Sequence, residues 1–370
     1  VNGKTMNNRF TRLHQALADA GYDAYIATQR ANQLYWTESA EPISDLPNVA
    51  YMLLGNDARV VFPGAPFYYA CVEHLPNYEI APTEVGAASA QTQLIEQIAR
   101  RGYRRLVLDP TSRENEETLR SALPGVELTF DSKWGAKLRR TKEAAEIALM
   151  REAARISDIG MVAAFAAARP GVSGRNVAAA SAAAMLEAGA EEASLQVAVG
   201  SATAYMGTGD WVYDPRRVIQ NGDMLLVDMA IRYHGYLGDQ TRTAIVGQGT
   251  DAQAEIIRTV QEAYHLTVAA MRPGASSPDL YRITTDLLER KGWRKYFPHH
   301  ISHGLGLGGD IPRIAEGSED VLQVGDALSC EPGVYIPGIG GARFENMLLL
   351  TENGIEALTK SPVDPVTGAS

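Results

Sequence analysis

The hexapeptide Ala168-Arg169-Pro170-Gly171-Val172-Ser173 returns 103 residues later as Met271-Arg272-Pro273-Gly274-Ala275-Ser276. A repeat of this length constrains the fold strongly, because each copy is one unit that must pack against the other. Each copy leads into a helical stretch ending in Leu-Glu and a nearby glycine, LEAGA at 186–190 and LERKG at 288–292. The same offset carries Asp228 onto Glu331. Each half therefore offers a helix, the Arg-Pro-Gly turn, a second helix, strands and two acids. Asp228 and Asp239 are 11 apart, and Glu331 and Glu345 are 14 apart. A duplicated, pseudo-twofold domain is the expectation.

The 370 residues exceed the span of that duplication, and their number leaves room for a second domain. Upstream, RFTRLHQALADAGYDAYIAT reads as an amphipathic helix closed by Gly21 and followed by a strand. VAYMLLGNDARVVFP carries Gly55-Asn56-Asp57 between two apolar runs, a hairpin signal. RRLVLDP and SRENEETLRSAL add a strand and a helix. These stretches predict an α/β domain over 6–135 and leave a second, duplicated domain over 136–370. The long charged helical run from Lys133 to the Arg169-Pro170-Gly171 stop joins them.

A net charge of −10 argues against a partner with a phosphate backbone, so no nucleic acid is expected. Cys71 and Cys330 form no metal-binding or redox motif and read as reduced thiols. No run approaches the roughly 20 apolar residues that cross a bilayer, and VNGKTMNNRF lacks the apolar core of a secretory signal. A cytoplasmic protein with no membrane partner is the expectation.

Asp228 lies inside MLLVDMAI, an apolar run with the character of a buried strand. An isolated carboxylate there costs several kcal/mol unless it is paired or metal-bound. Asp239 in GYLGDQTRTAIVG, Glu331 in ALSCEPGVYIPG and Glu345 in GARFENMLLL also lie beside or within strands. Arg242 and Arg343 are too few to offset four acids, so a cation must take part. His303, in HHISHGLGLGG, adds an imidazole. Four carboxylates and one imidazole favour Mn²⁺, Co²⁺ or Fe²⁺ over a thiolate-type zinc site. Acids able to bridge would hold two ions about 3.5–4 Å apart, the arrangement that activates water near neutrality.

Asp228-x10-Asp239-x-Thr241-Arg242-Thr243, His303-Gly-Leu-Gly, Glu331-Pro-Gly and Arg343-Phe-Glu345 reproduce a known order of motifs. By them the chain resembles the creatinase, prolidase and aminopeptidase P group, peptidase family M24. RFTRLHQALADAGYDAYIATQRANQLYWT is similar to the start of that group's N-terminal domain. LRRTKEAAEIALMREAARISD is similar to the helix that enters its catalytic domain, so the likeness runs along nearly the whole chain. The resemblance implies a creatinase-type N-terminal α/β domain and an α+β pita-bread catalytic domain, helices outside a curved antiparallel sheet. It implies that Asp228 binds one metal, that Asp239 and Glu345 bridge, and that His303 and Glu331 bind the other. Two divalent ions are implied, Mn first, with Co, Fe or Zn as alternatives. Glu331 would carry the proton from water to the leaving amine, with Thr241 and Arg343 orienting ligands. The implied activity is hydrolysis of a C–N bond in a small peptide or peptide-like amide, of Xaa-Pro dipeptidase or aminopeptidase P type, by a homodimer.

Two departures bear on the substrate. The loop GSATAYMGTGDWVYDPRR has no Pro-His before the first acid-bearing strand. Gly308-Gly309-Asp310-Ile311-Pro312 has no histidine where such enzymes usually carry one. A lost donor to a scissile carbonyl can be worth roughly 3 kcal/mol. The same metal set could therefore serve a non-peptide enzyme, such as an ectoine hydrolase, creatinase or lyase, or a non-catalytic pita-bread binding module. Asp310, facing the pocket, would suit an amine or amidine, with Arg313 able to neutralise it. Tyr205, Trp211 and Tyr213 are candidate pocket walls, and His299 is a candidate for substrate contact or proton transfer. His234, between the two aspartates, reads as structural.

Overall fold

The computed structural model describes residues 3–37, 49–83, 88–205 and 217–362. The chain divides into two compact units, 1–139 and 140–370. In the first, helix α1 (Gly3–Ala20) buries Phe10, Leu13 and Leu17, at three- and four-residue spacing. Strand β1 (Ala24–Ala27) follows, then α2 (Arg30–Thr37), and the hairpin of β2 (Val49–Gly55) and β3 (Arg59–Pro63) turns at Asn56-Asp57. Then come α3 (Tyr68–His74), β4 (Glu79–Ile80), α4 (Ala90–Arg101), β5 (Arg105–Leu108), α5 (Arg113–Ala122), β6 (Glu127–Phe130) and α6 (Trp134–Arg139).

The strands form one sheet in the order β4-β3-β2-β1-β5-β6, with β1, β5 and β6 parallel. Parallel neighbours need a crossover, and α5 supplies the one between β5 and β6. Asp109, at the end of β5, is fully buried and accepts from Tyr25 Oη at 2.6 Å, the Thr28 and Gln29 amides, and Asn32 Nδ2 at 2.7 Å. That carboxylate ties the β1–α2 turn to the sheet.

The run read as one long helix is broken. Helix α7 (Ala144–Ala167) starts only after Glu143, whose side chain forms a capping box with Glu146. The residues between α6 and α7 anchor the second unit instead. Arg140 donates to both Asp326 oxygens, at 2.7 and 2.8 Å, and Lys142 Nζ donates to Asp310 Oδ2 at 3.0 Å.

The repeat is visible residue by residue. Helices α8 (Gly174–Glu187) and α10 (Ser277–Arg290) share both boundaries at the offset of the hexapeptide, and α7 and α9 (Asp251–Ala270) share their C-termini. Gly171 and Gly274 have φ of 87° and 86°, the left-handed turn that glycine permits at no steric cost. Their amides donate to Ile219 and Leu322 carbonyls. Ser173 and Ser276 then cap the following helices through Asn176 N and Asp279 N.

Strands β7 (Glu192–Val199), β8 (Met224–Tyr233) and β9 (Tyr236–Ile245) form an antiparallel sheet. The other half holds β10 (Ser302–Gly304), β11 (Asp310–Ile314), β12 (Ala327–Cys330), β13 (Gly333–Ile336), β14 (Gly340–Arg343), β15 (Asn346–Thr351) and β16 (Gly354–Ala357). A five-stranded sheet runs β11-β10-β12-β15-β16, and β13 pairs with β14. Thr241 bridges to Glu345, joining the halves.

Strand periodicity decides which face each acid takes. Leu225, Val227, Met229 and Ile231 pack with α7 and α8 in one apolar cluster. Asp228, between them in sequence, therefore faces the other way. Leu328 and Cys330 of β12, and Leu348 and Leu350 of β15, pack with α9 and α10. Glu331 and Glu345 continue these strands at the alternate positions, so all these acids leave the helix-covered faces.

Candidate metal centre

Two hairpins present the acids. In β8–β9, Asp228 pairs with Thr241 and Ala230 with Asp239, so the two aspartates are diagonal neighbours on one face. The eleven-residue spacing follows from the two-residue turn His234-Gly235, where φ is 46° and 78°, as a type I′ turn requires. In the second half the pairs Cys330↔Asn346 and Gly333↔Arg343 share one register. Glu331 is thus opposite Glu345, across the break that Pro332 makes. Thr241 holds the corresponding place in the first hairpin, so the halves arrange their acids differently.

Thr241, fully buried, has its hydroxyl 2.8 Å from Asp228 Oδ1 and 2.8 Å from Glu345 Oε2. It accepts from Arg343 Nε at 3.0 Å. Arg343 also reaches Asp228 Oδ2 at 2.5 Å through Nη2 and Tyr335 Oη at 2.8 Å through Nη1. One guanidinium fork so fixes an acid, the threonine and a phenol. Arg242 forms no ion pair with these acids. Its donors go to Asn346 Oδ1 and to the carbonyls of Thr241, Glu345, Ser361 and Pro362.

His303 Nδ1 lies 3.1 Å from Gly304 O and donates to it, because a carbonyl only accepts. A neutral His303 then aims its Nε2 lone pair at Asp239 Oδ2, 3.4 Å away, and Glu331 Oε1, 3.3 Å away. Lone pairs converging on one point are what a cation resolves. Donor atoms of Asp239, His303 and Glu345 lie within 4.8 Å of one another, as do those of His300, His303 and Glu331.

Protonation tells the same story. Burial would lower the His303 pKa, but Asp239 and Glu331 overcome it and push it up to about 9. Burial raises Glu345 well above the usual carboxylate range, helped by Asp239, Glu331 and Asp228. It raises Asp228 too, against the pull of Arg343 and Thr241. For Glu331, burial is outweighed by the His300 hydrogen bond and by His303 and Arg343, and the pKa falls to about 2. Without a cation the cluster must collect protons, so these residues fit divalent ions.

Other sequence expectations fare differently. Asp310 does not face this cluster. It is paired with Lys142, both side chains being 1% exposed, which removes the argument for an amine or amidine subsite. His299 has both ring nitrogens engaged within the protein, Nδ1 with His300 O at 2.6 Å and Nε2 with Tyr335 Oη at 3.0 Å, and burial lowers its pKa to about 4. That leaves it no nitrogen for substrate contact. Arg313 reaches His300 Nδ1 at 3.0 Å rather than Asp310. Tyr205 is exposed at the end of a short 3-10 turn, Gly200–Tyr205. Trp211 and Tyr213 lie outside the described residues.

Sequence reasoning overlooked three groups at the site. His300 Nε2 is 3.0 Å from Glu331 Oε1, and Ser329 Oγ donates to the same oxygen at 3.1 Å. Tyr335 links His299 to Arg343. The signal for Ser329 and Tyr335 was their alternation with the apolar residues of β12 and β13; for His300 it was the doubled histidine before His303.

Comparison with known proteins accords with this geometry. An Xaa-Pro dipeptidase of Pyrococcus furiosus is 35% identical over 226 residues, 61% of this chain and 64% of that protein, less than two thirds of its length. The structure of an Xaa-Pro dipeptidase from Bacillus anthracis superposes with a TM-score of 0.86 at 28% identity, over 98% of this chain and 99% of that one. A prolidase from Pyrococcus horikoshii gives 0.84 at 25% identity, over 97% and 100%. The model of metallopeptidase family M24 matches residues 148–352, more than half of the chain, a span that includes Asp228, Asp239, His303, Glu331 and Glu345. With its acids, imidazole and duplicated halves in that order, the chain belongs to metallopeptidase family M24.

Proposed function

We propose that the protein hydrolyses the C–N bond of a small peptide, with Xaa-Pro dipeptides as the first substrate class. The convergence of the His303 Nε2 lone pair with Asp239 and Glu331 carries this reading, and the dipeptidase relatives support it. Asp228, Asp239, His303, Glu331 and Glu345 would hold two divalent ions, Mn²⁺ first. Such ions lower the pKa of water and polarise a carbonyl.

The remaining chemistry belongs to the chain. Glu331 takes the proton lost by the attacking water and returns it to the leaving nitrogen. Arg343 and Thr241 keep Asp228 and Glu345 oriented. Tyr335, bonded to Arg343 and His299, keeps the guanidinium from rotating. No described helix is long and apolar enough to cross a membrane. A cytoplasmic homodimer is part of the proposal.

Non-peptide chemistry is the second reading, favoured by Gly308-Gly309-Asp310, which has no histidine to offer a substrate carbonyl. Incubation of Mn²⁺-loaded protein with Xaa-Pro dipeptides, other dipeptides, ectoine and creatine decides between them. Turnover of dipeptides, lost in Asp228→Ala and Glu331→Ala, is expected. Turnover of ectoine or creatine alone would overturn the peptidase reading.

A further inference from the structure

His300 lies beside Glu331 but is set differently from His303. Its Nε2 is 3.0 Å from Glu331 Oε1, and Arg313 Nη2 is 3.0 Å from its Nδ1. A guanidinium only donates, so Nδ1 supplies the lone pair and the ring proton sits on Nε2, aimed at Glu331. In His303 the far nitrogen donates to Gly304 O, so a neutral ring aims a lone pair at the acids. What touches the far nitrogen makes one ring a ligand and the other a donor.

We propose that Arg313 and His300 form a positioning relay for Glu331, and that His300 is not itself a metal ligand. The proposal rests on the reading of Glu331 as ligand and proton carrier. Its base is rigid. Arg313 lies on β11, His300 just ahead of β10 and Glu331 just past β12, and these three strands are neighbours in one sheet. The Arg313 amide is held by Asp320 Oδ2 at 2.8 Å. Ser329 fixes the same Glu331 oxygen from another side while accepting from the His303 amide at 3.1 Å. Arg313 orders the ring, and the ring orders the carboxylate.

Calorimetric titration of Mn²⁺ into the metal-free full chain tests the relay without reference to turnover. His300→Ala and Arg313→Ala should each weaken binding about tenfold, as losses of an outer partner do. The double variant should bind within about twofold of His300→Ala, because the two act through one contact. The number of bound ions should stay as in the wild type, and His300→Gln, which keeps an N–H for Glu331, should recover most of the loss. With Ala-Pro as substrate, His300→Ala should lower kcat about tenfold or more with KM changed less than about threefold.

Additive losses would show that Arg313 acts on its own, and unchanged Mn²⁺ binding in His300→Ala would show that the ring holds nothing. Loss of one bound ion would make His300 a ligand. Any of these overturns the relay, as does a wild type that binds no Mn²⁺. A wild type that binds Mn²⁺ but cleaves no dipeptide overturns only the proposed function, since the titration still decides the relay.

Discussion

His303 shows most clearly how a single side chain reports on what the site is built to hold. Its folded pKa of about 9 lies above the ordinary 6.5 because two carboxylates outweigh its burial. A pKa raised on folding adds stability that is complete below 6.5 and is lost as the pH rises through about 9. Asp228 and Glu345 are raised too, so their contributions fall in the same direction with rising pH. Glu331, lowered to about 2, is ionised in both states throughout that window and adds no slope. Metal-free protein should therefore lose stability between pH 6.5 and 9. A cation must displace the His303 proton, so Mn²⁺ affinity should rise from pH 7 to 9, by at most about tenfold per unit for each proton released, and then level. Affinity that is flat across this range would contradict the assignment of His303.

The β8–β9 hairpin sets the distance between the two aspartates, and its turn sets the register. Gly235, at φ 78°, occupies a conformation that a side chain strains. Gly235→Ala should destabilise the second unit by about 1–2 kcal/mol in a denaturant melt and weaken Mn²⁺ binding with it. His234→Asn, tolerant of positive φ, should cost less than about 0.5 kcal/mol. A harmless Gly235→Ala would mean that the turn does not govern the register.

The strand that carries Asp228 was legible in the sequence because MLLVDMAI is an apolar run of strand length, while its pairing with β9 was not read there. What was not legible depends on contacts between distant residues. Asp310 looked like a pocket acid because Lys142, 168 positions earlier, gave no hint of reaching it. The run after Lys133 looked like one helix because only the fold shows Arg140 and Lys142 drawn away to Asp326 and Asp310. His299 drew notice over His300, yet the ring that meets Glu331 is the one Arg313 orders.

At the scale of the molecule, the duplication solves a charge problem. Each half covers one face of its sheet with two helices and turns acids to the other face. Neither half alone gathers four carboxylates and an imidazole. The Thr241–Glu345 bridge joins the hairpins at the point where the acids meet. Burial of that much like charge is tolerable only with positive charge between the acids, from protons or from metal. The most direct test is a crystal of the protein soaked in Mn²⁺, with anomalous scattering recorded at the manganese edge. The account predicts two peaks about 3.5–4 Å apart, among Asp228, Asp239, His303, Glu331 and Glu345, with none on His300. No peak among these residues, or a peak bound through His300 Nε2, would contradict it.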